Sequence, residues 1–116
     1  MHTVVETASY LNAAKAAGMS EEETAAVAAL LAANPSAGAP MAGTGGCRKL
    51  RIAKPGQGKS GGYRVVTFYS GENIPVFLLT VFGKSEKDNL TKAERNALLA
   101  LTTDLVSSYA ARRRRR

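Results

Sequence analysis

The sequence holds little of what most catalytic centres are built from: its 116 residues include one cysteine, one histidine and no tryptophan. Cys47 cannot form an internal disulfide, and no second cysteine stands with it to hold a structural zinc. His2 stands at the start of the chain, where a frayed end is expected. A mechanism that needs an internal histidine as base, triad member or metal ligand is therefore closed. Aromatic residues make up only 6%, so the core has to be aliphatic. No run approaches the roughly 20 apolar residues of a bilayer span, and Met1–Glu6 lacks the basic start and apolar stretch of a signal peptide. No membrane partner is expected, and the cytoplasm is the default compartment.

What is present suffices for one domain and is too short for two. Hydrophobic residues reach 45%, enough to exclude wholesale disorder. Sixteen Lys+Arg against nine Asp+Glu leave a net charge of +7, and that charge is unevenly placed. Residues 1–40 carry Lys15 against Glu6, Glu21, Glu22 and Glu23. Residues 41–70 carry Arg48, Lys49, Arg51, Lys54, Lys59 and Arg64 with no acid at all. A polyanion is the natural partner of such a block. The closing run Arg112–Arg116 cannot all face one partner from a helix. It reads as a disordered basic tail after a single domain over residues 1–111.

Hydrophobic periodicity gives the element order. Val4-Val5 suits a short strand, and the Ala-rich run from Ala8 to Ala17 reads as a helix stopped by Gly18. Ser20-Glu21-Glu22-Glu23 is a capping box opening a second helix, with Val27, Leu30 and Leu31 as its apolar stripe and Asn34-Pro35 as its end. Residues 35–46 form a loop of small residues. From Arg48 to Lys54 the period becomes two, with Leu50 and Ile52 on one face and Lys49 and Arg51 on the other. Tyr63–Tyr69 and Ile74–Phe82 read as strands joined by a Ser70-Gly71-Glu72-Asn73 turn. Thr91-Lys92-Ala93-Glu94 is a second capping box, opening a helix with Leu98, Leu101, Leu105 and Tyr109 on one side. The expectation is an α+β fold: two N-terminal helices, a small antiparallel sheet of three to four strands, and a C-terminal helix.

Two glycine patterns invite nucleotide-binding readings. Gly56-Gln57-Gly58-Lys59-Ser60-Gly61 spells G-x-G-x-x-G, and Ala53–Ser60 nearly spells a P-loop. Both motifs need a helix to follow, whose N-terminus holds phosphate, and here the next element reads as a strand. A connection between strands is the better reading. The basic block weighs more. Six cations fall within residues 48–64 without an acid, and Lys49 and Arg51 share a face, so the sheet presents a cationic surface. Lys84 and Lys87, in Lys84-Ser85-Glu86-Lys87-Asp88, fall near one end of that sheet.

Three blocks occur in order: Gly43-Thr44-Gly45-Gly46-Cys47-Arg48-Lys49-Leu50-Arg51, Gly58-Lys59-Ser60-Gly61-Gly62-Tyr63-Arg64-Val65-Val66, and Lys84-Ser85-Glu86-Lys87-Asp88-Asn89-Leu90-Thr91. Together they resemble the RelE/HigB-like toxins of bacterial type II toxin–antitoxin modules (the RelE/ParE superfamily), over nearly the whole chain from Val4 to about Tyr109. The resemblance implies a compact α+β toxin that enters the ribosomal A site and cuts mRNA there. It also implies contact with ribosomal RNA and a cognate antitoxin, in the HigB branch a helix-turn-helix, HigA-like protein. The implied cut uses the 2′-hydroxyl of the RNA as nucleophile and needs no metal or other cofactor.

Such a site has to work with Lys and Arg, which stabilise the extra charge of a phosphorane transition state. A desolvated lysine crowded by cations can also move a proton. By the resemblance Arg64 is the phosphate clamp, and Lys49 or Arg51 positions RNA or moves a proton. Lys84 stands where RelE-type members carry an arginine, and Lys54, Lys59 and Lys87 extend the RNA-binding surface. RelE-type members also carry a base-stacking tyrosine in the C-terminal segment, whereas this chain has none between Tyr69 and Tyr109. The general base therefore stays open, and a noncatalytic RNA-binding or regulatory module on the same fold is the competing reading.

Overall fold

The computed structural model describes residues 2–54, 58–71, 74–83 and 90–114. The element order is β1 (Val4–Glu6), α1 (Ala8–Ala17), α2 (Glu21–Ala33), β2 (Ala39–Pro40), β3 (Cys47–Lys54), β4 (Gly58–Phe68), β5 (Val76–Gly83) and α3 (Lys92–Arg114). The class is α+β. α3 takes in the backbone of Arg112–Arg114, whereas Arg115 and Arg116 lie outside the described residues.

The helix ends follow from local chemistry. Thr7 caps α1 by accepting from the Tyr10 amide at 3.1 Å, and its hydroxyl donates to the Leu78 carbonyl at 2.8 Å, tying the helix start to β5. Gly18 ends α1 at φ 83°, a left-handed conformation that glycine adopts without a Cβ penalty. Both capping boxes are formed: Ser20 with Glu23 at 2.8 and 3.1 Å, and Thr91 with Glu94 at the same two distances.

The five strands lie in the order β1-β5-β4-β3-β2. The sheet is thus larger than three to four strands and is mixed, because β1 pairs parallel with β5. A parallel neighbour reached only after two helices and three further strands leaves no turn signature in the sequence. β2 is equally silent, since it is two exposed residues at an edge. Its approach depends on Gly38, at φ 100°, where a Cβ would lie 2.8 Å from the Lys49 carbonyl oxygen.

α1 and α2 cover one face of the sheet, where Tyr10, Ala14, Val27 and Leu31 pack on Tyr63, Val65, Val76, Leu78 and Val81. On the other face Leu90 and Leu98 pack on Cys47, Val66, Phe68, Phe77, Leu79 and Phe82. Coverage on both sides explains why β5 reads as a continuous apolar run rather than an alternating one.

Three expectations about side chains change. Leu101 is 40% exposed and Leu30 43% exposed. The inner stripe of α3 is instead Leu98, Thr102, Leu105 and Tyr109, with a polar residue where a leucine was expected. His2 is not frayed: its amide donates to the Ala32 carbonyl at 3.0 Å, and its ring stands edge-on to Tyr69 with centroids 5.3 Å apart.

Candidate nucleic-acid interface

Strand alternation divides the basic block between the two faces. Leu50 and Ile52 of β3 pack toward α1 and α2, so Lys49 and Arg51 point the other way. In β4, Tyr63 and Val65 belong to the α1/α2 side and Val66 to the opposite side, which puts Arg64 with Lys49 and Arg51. Register then orders this face into rows. Cys47, Phe68 and Phe77 form one row, Lys49, Val66 and Thr80 the next, and Arg51, Arg64 and Phe82 the last. The face thus passes from apolar to cationic along the strands.

Arg51 and Arg64 sit directly opposite each other in the β3–β4 ladder. Arg51 is exposed and Lys49 half-buried. Arg64 is 2% exposed, and its Nη1 is buried without a hydrogen-bond partner. β3, β4 and β5 contain no Asp or Glu, so none of the three strands supplies a carboxylate to this guanidinium. A buried, incompletely paired charge is unfavourable in a resting fold, and its persistence marks a functional candidate.

Arg48 does not join the site. It projects with Leu50, and its Nη1 donates to the Gly38 carbonyl at 3.1 Å. The side chains of Lys54 and Lys59 lie outside the described residues, as do Lys84 and Lys87. The described tyrosines stand elsewhere. Tyr10 and Tyr63 lie in the α1/α2 core and Tyr69 packs against it. Tyr109 stands on Phe77 at 5.6 Å, five residues along β5 from Phe82, or about 17 Å. Phe82, 4% exposed beside Arg64, is the site residue that sequence reasoning missed. Only cross-strand register could have found it.

Gly62 holds the row together. A Cβ there would overlap the Ile52 carbonyl oxygen, so only glycine lets β3 and β4 close next to Arg64. Just beyond it, the three residues Ile52 to Lys54 of β3 span the six from Tyr63 to Gly58 of β4. The Gly-Lys-Ser-Gly-Gly block is therefore an irregular stretch of β4 with three extra residues, part of a strand as the reading against a nucleotide loop requires.

The first glycine block is structural. Thr44 donates to the Met41 carbonyl at 2.7 Å and accepts from the Cys47 amide at 3.1 Å. Its own carbonyl receives the Thr102 hydroxyl at 3.1 Å, which fastens this loop to α3. Burial pushes the Cys47 thiol up to about 11 despite a hydrogen bond with Thr44, so Cys47 is no nucleophile near neutral pH. Among the described residues, no group of three or more His, Cys, Asp and Glu could hold a metal ion. No described helix is long and apolar enough to cross a membrane.

Residues 3–113, from β1 through nearly all of α3, match the family described as the RelE toxin of the RelE/RelB toxin–antitoxin system. The chain belongs to the RelE toxin family. It is therefore a toxin of a toxin–antitoxin module, and RelE-family toxins act with a cognate antitoxin. The match spans both the cationic rows and the glycine loop, so the Lys49, Arg51 and Arg64 face lies inside the family domain.

Proposed function

We propose that this RelE-family toxin is a ribosome-dependent mRNA endonuclease. The observation that carries the reading is the Arg51–Arg64 pair, two cations opposed across a ladder whose strands hold no acid, one of them buried with an unpaired donor. In the reaction, the 2′-oxygen of a nucleotide attacks its own 3′-phosphate and gives up its proton. The bond from phosphorus to the next 5′-oxygen breaks, and that oxygen takes a proton. The products are a 2′,3′-cyclic phosphate and a 5′-hydroxyl. Arg64 neutralises the added charge of the phosphorane, where a guanidinium in a dry site acts most strongly. Lys49 and Arg51, nearer solvent, position the backbone, and one of them or Lys84 moves a proton. Lys54, Lys59 and Lys87 add sequence-independent phosphate contacts. The partners are mRNA in the ribosomal A site, ribosomal RNA and a helix-turn-helix, HigA-like antitoxin, and the work is done in the cytoplasm.

One observation favours a second reading. Arg64 is 2% exposed, so contact with RNA requires that its side chain be uncovered. A noncatalytic RNA-binding or regulatory module would use Arg51 and Lys49 alone. Induced expression without the antitoxin separates the two. Growth arrest by the wild type that disappears in Arg64→Ala supports the nuclease. Arrest undiminished in each of Arg64→Ala, Lys49→Ala and Arg51→Ala removes the catalytic assignment.

A further inference from the structure

We propose that Thr80 reads RNA against DNA, its hydroxyl oxygen accepting a hydrogen bond from a ribose 2′-hydroxyl of the bound strand. The inference rests on reading the Lys49, Arg51 and Arg64 face as an RNA surface. Lysine and arginine carry N–H donors and no acceptor. They hold phosphates, which RNA and DNA share, so by themselves they do not tell the two apart. The 2′-hydroxyl does, and its proton needs an acceptor. Among the described side chains of β3, β4 and β5, Thr80 supplies the one oxygen on this face. It is half-buried, like Lys49 in the same row. Among the described residues its hydroxyl has no hydrogen-bond partner, whereas those of Thr44 and Thr102 are taken by the backbone. A bulge aims Thr80 here. Thr67 faces Leu78 in the β4–β5 ladder while its neighbour Val66 faces Thr80, so Leu79 is an extra residue in β5. Leu79 packs on the α3 side, and plain alternation would send Thr80 toward α1 and α2. The bulge returns it to the cationic face, about 7–8 Å diagonally from Arg64. A sugar beside a phosphate on the Arg51–Arg64 row comes within its reach.

The test measures binding, not cutting. Full-length toxin is titrated at one salt concentration with a fluorescent single-stranded RNA and with its DNA counterpart, deoxyuridine replacing uridine so that the 2′-oxygen is the sole difference. Anisotropy follows the complex. The wild type is expected to bind RNA about fivefold tighter than DNA, the worth of one hydrogen bond. Thr80→Val keeps the β-branched shape and deletes the oxygen. It should lower RNA affinity to that for DNA and leave DNA affinity unchanged. Thr80→Ala should do the same, so the result does not depend on how one variant folds. Thr80→Ser keeps the hydroxyl and should keep the preference. Arg51→Gln should weaken both strands alike, as loss of a phosphate contact does. Equal wild-type affinity for the two strands overturns the assignment. So does a preference that survives in Thr80→Val and Thr80→Ala, or a parallel loss of RNA and DNA binding in both. Cleavage of mRNA without a Thr80-dependent preference removes this inference and leaves the nuclease standing. A Thr80-dependent preference without cleavage does the reverse.

Discussion

Arg51 and Arg64 oppose each other across the β3–β4 ladder, one exposed and the other buried with an unpaired nitrogen. Like charges directly opposite are destabilising, so the pair lowers stability. Arg51→Gln is expected to stabilise the fold by about 0.5 kcal/mol at low salt, with the gain shrinking as salt screens the repulsion. The same variant should lose activity. Urea unfolding at two ionic strengths checks the sign, and a destabilised Arg51→Gln contradicts the electrostatic account.

Gly62 sets the spacing of that pair. A methyl group at this position meets the Ile52 carbonyl oxygen, two residues before Arg64. Gly62→Ala is expected to cost about 1–3 kcal/mol, the range for overpacking. It should also lower cleavage by spreading the Arg51–Arg64 row. Denaturation and cleavage rates measured on the same preparation test both effects.

α3 is held to the glycine loop by a hydroxyl. Thr102 Oγ1 donates to the Thr44 carbonyl at 3.1 Å, and Thr102 is 2% exposed. Thr102→Val keeps the shape and deletes the donor, with an expected cost of about 1 kcal/mol, because the Thr44 carbonyl is left with the weaker Cys47 thiol donor at 3.7 Å. A larger loss is expected for Gly45→Ala, since Gly45 lies at φ +76° with Leu99 Cδ1 3.0 Å from where a Cβ would sit. Equilibrium unfolding of the two variants gives the order.

Two buried acids predict alkaline unfolding. Burial raises the Cys47 thiol from 9.0 to about 11. Burial, helped by Glu6, raises the Tyr10 phenol from 10.0 to about 12. Each group ionises first in the unfolded chain, which then binds fewer protons than the folded one, so stability falls as pH rises. Full stability should hold below about pH 9 and decline from pH 9 to 12, with Cys47 leading. Cys47→Ala should flatten the lower part of the decline. Thiol-reactive reagents should modify Cys47 at neutral pH only after unfolding.

Features carried by neighbouring residues were legible in the sequence. The capping boxes at Ser20 and Thr91, the Gly18 stop and the alternation that puts Lys49 and Arg51 opposite Leu50 and Ile52 all depend on contacts within a few residues. Features set by distant partners were not. β1 takes its place from Val76, and β2 from the close passage of Gly38 over Lys49. Thr102 takes the buried place expected of Leu101, where it donates to the distant Thr44 carbonyl. At the site, charge marked the cationic block, strand spacing put Lys49 and Arg51 on one face, and the family resemblance singled out Arg64. Its burial and its neighbour Phe82 follow from three-strand register, which no local pattern encodes.

The central claim is that this cationic face cuts mRNA, and the direct measurement is the chemistry of the RNA ends. Purified toxin is added to translating ribosomes, and fragment ends are mapped as 5′-hydroxyl and 2′,3′-cyclic phosphate. The account predicts such cuts in ribosome-bound message, lost by at least about a hundredfold in Arg64→Gln, the scale for removing one transition-state donor. Intact message under wild-type toxin, or cuts undiminished in Arg64→Gln, contradicts it.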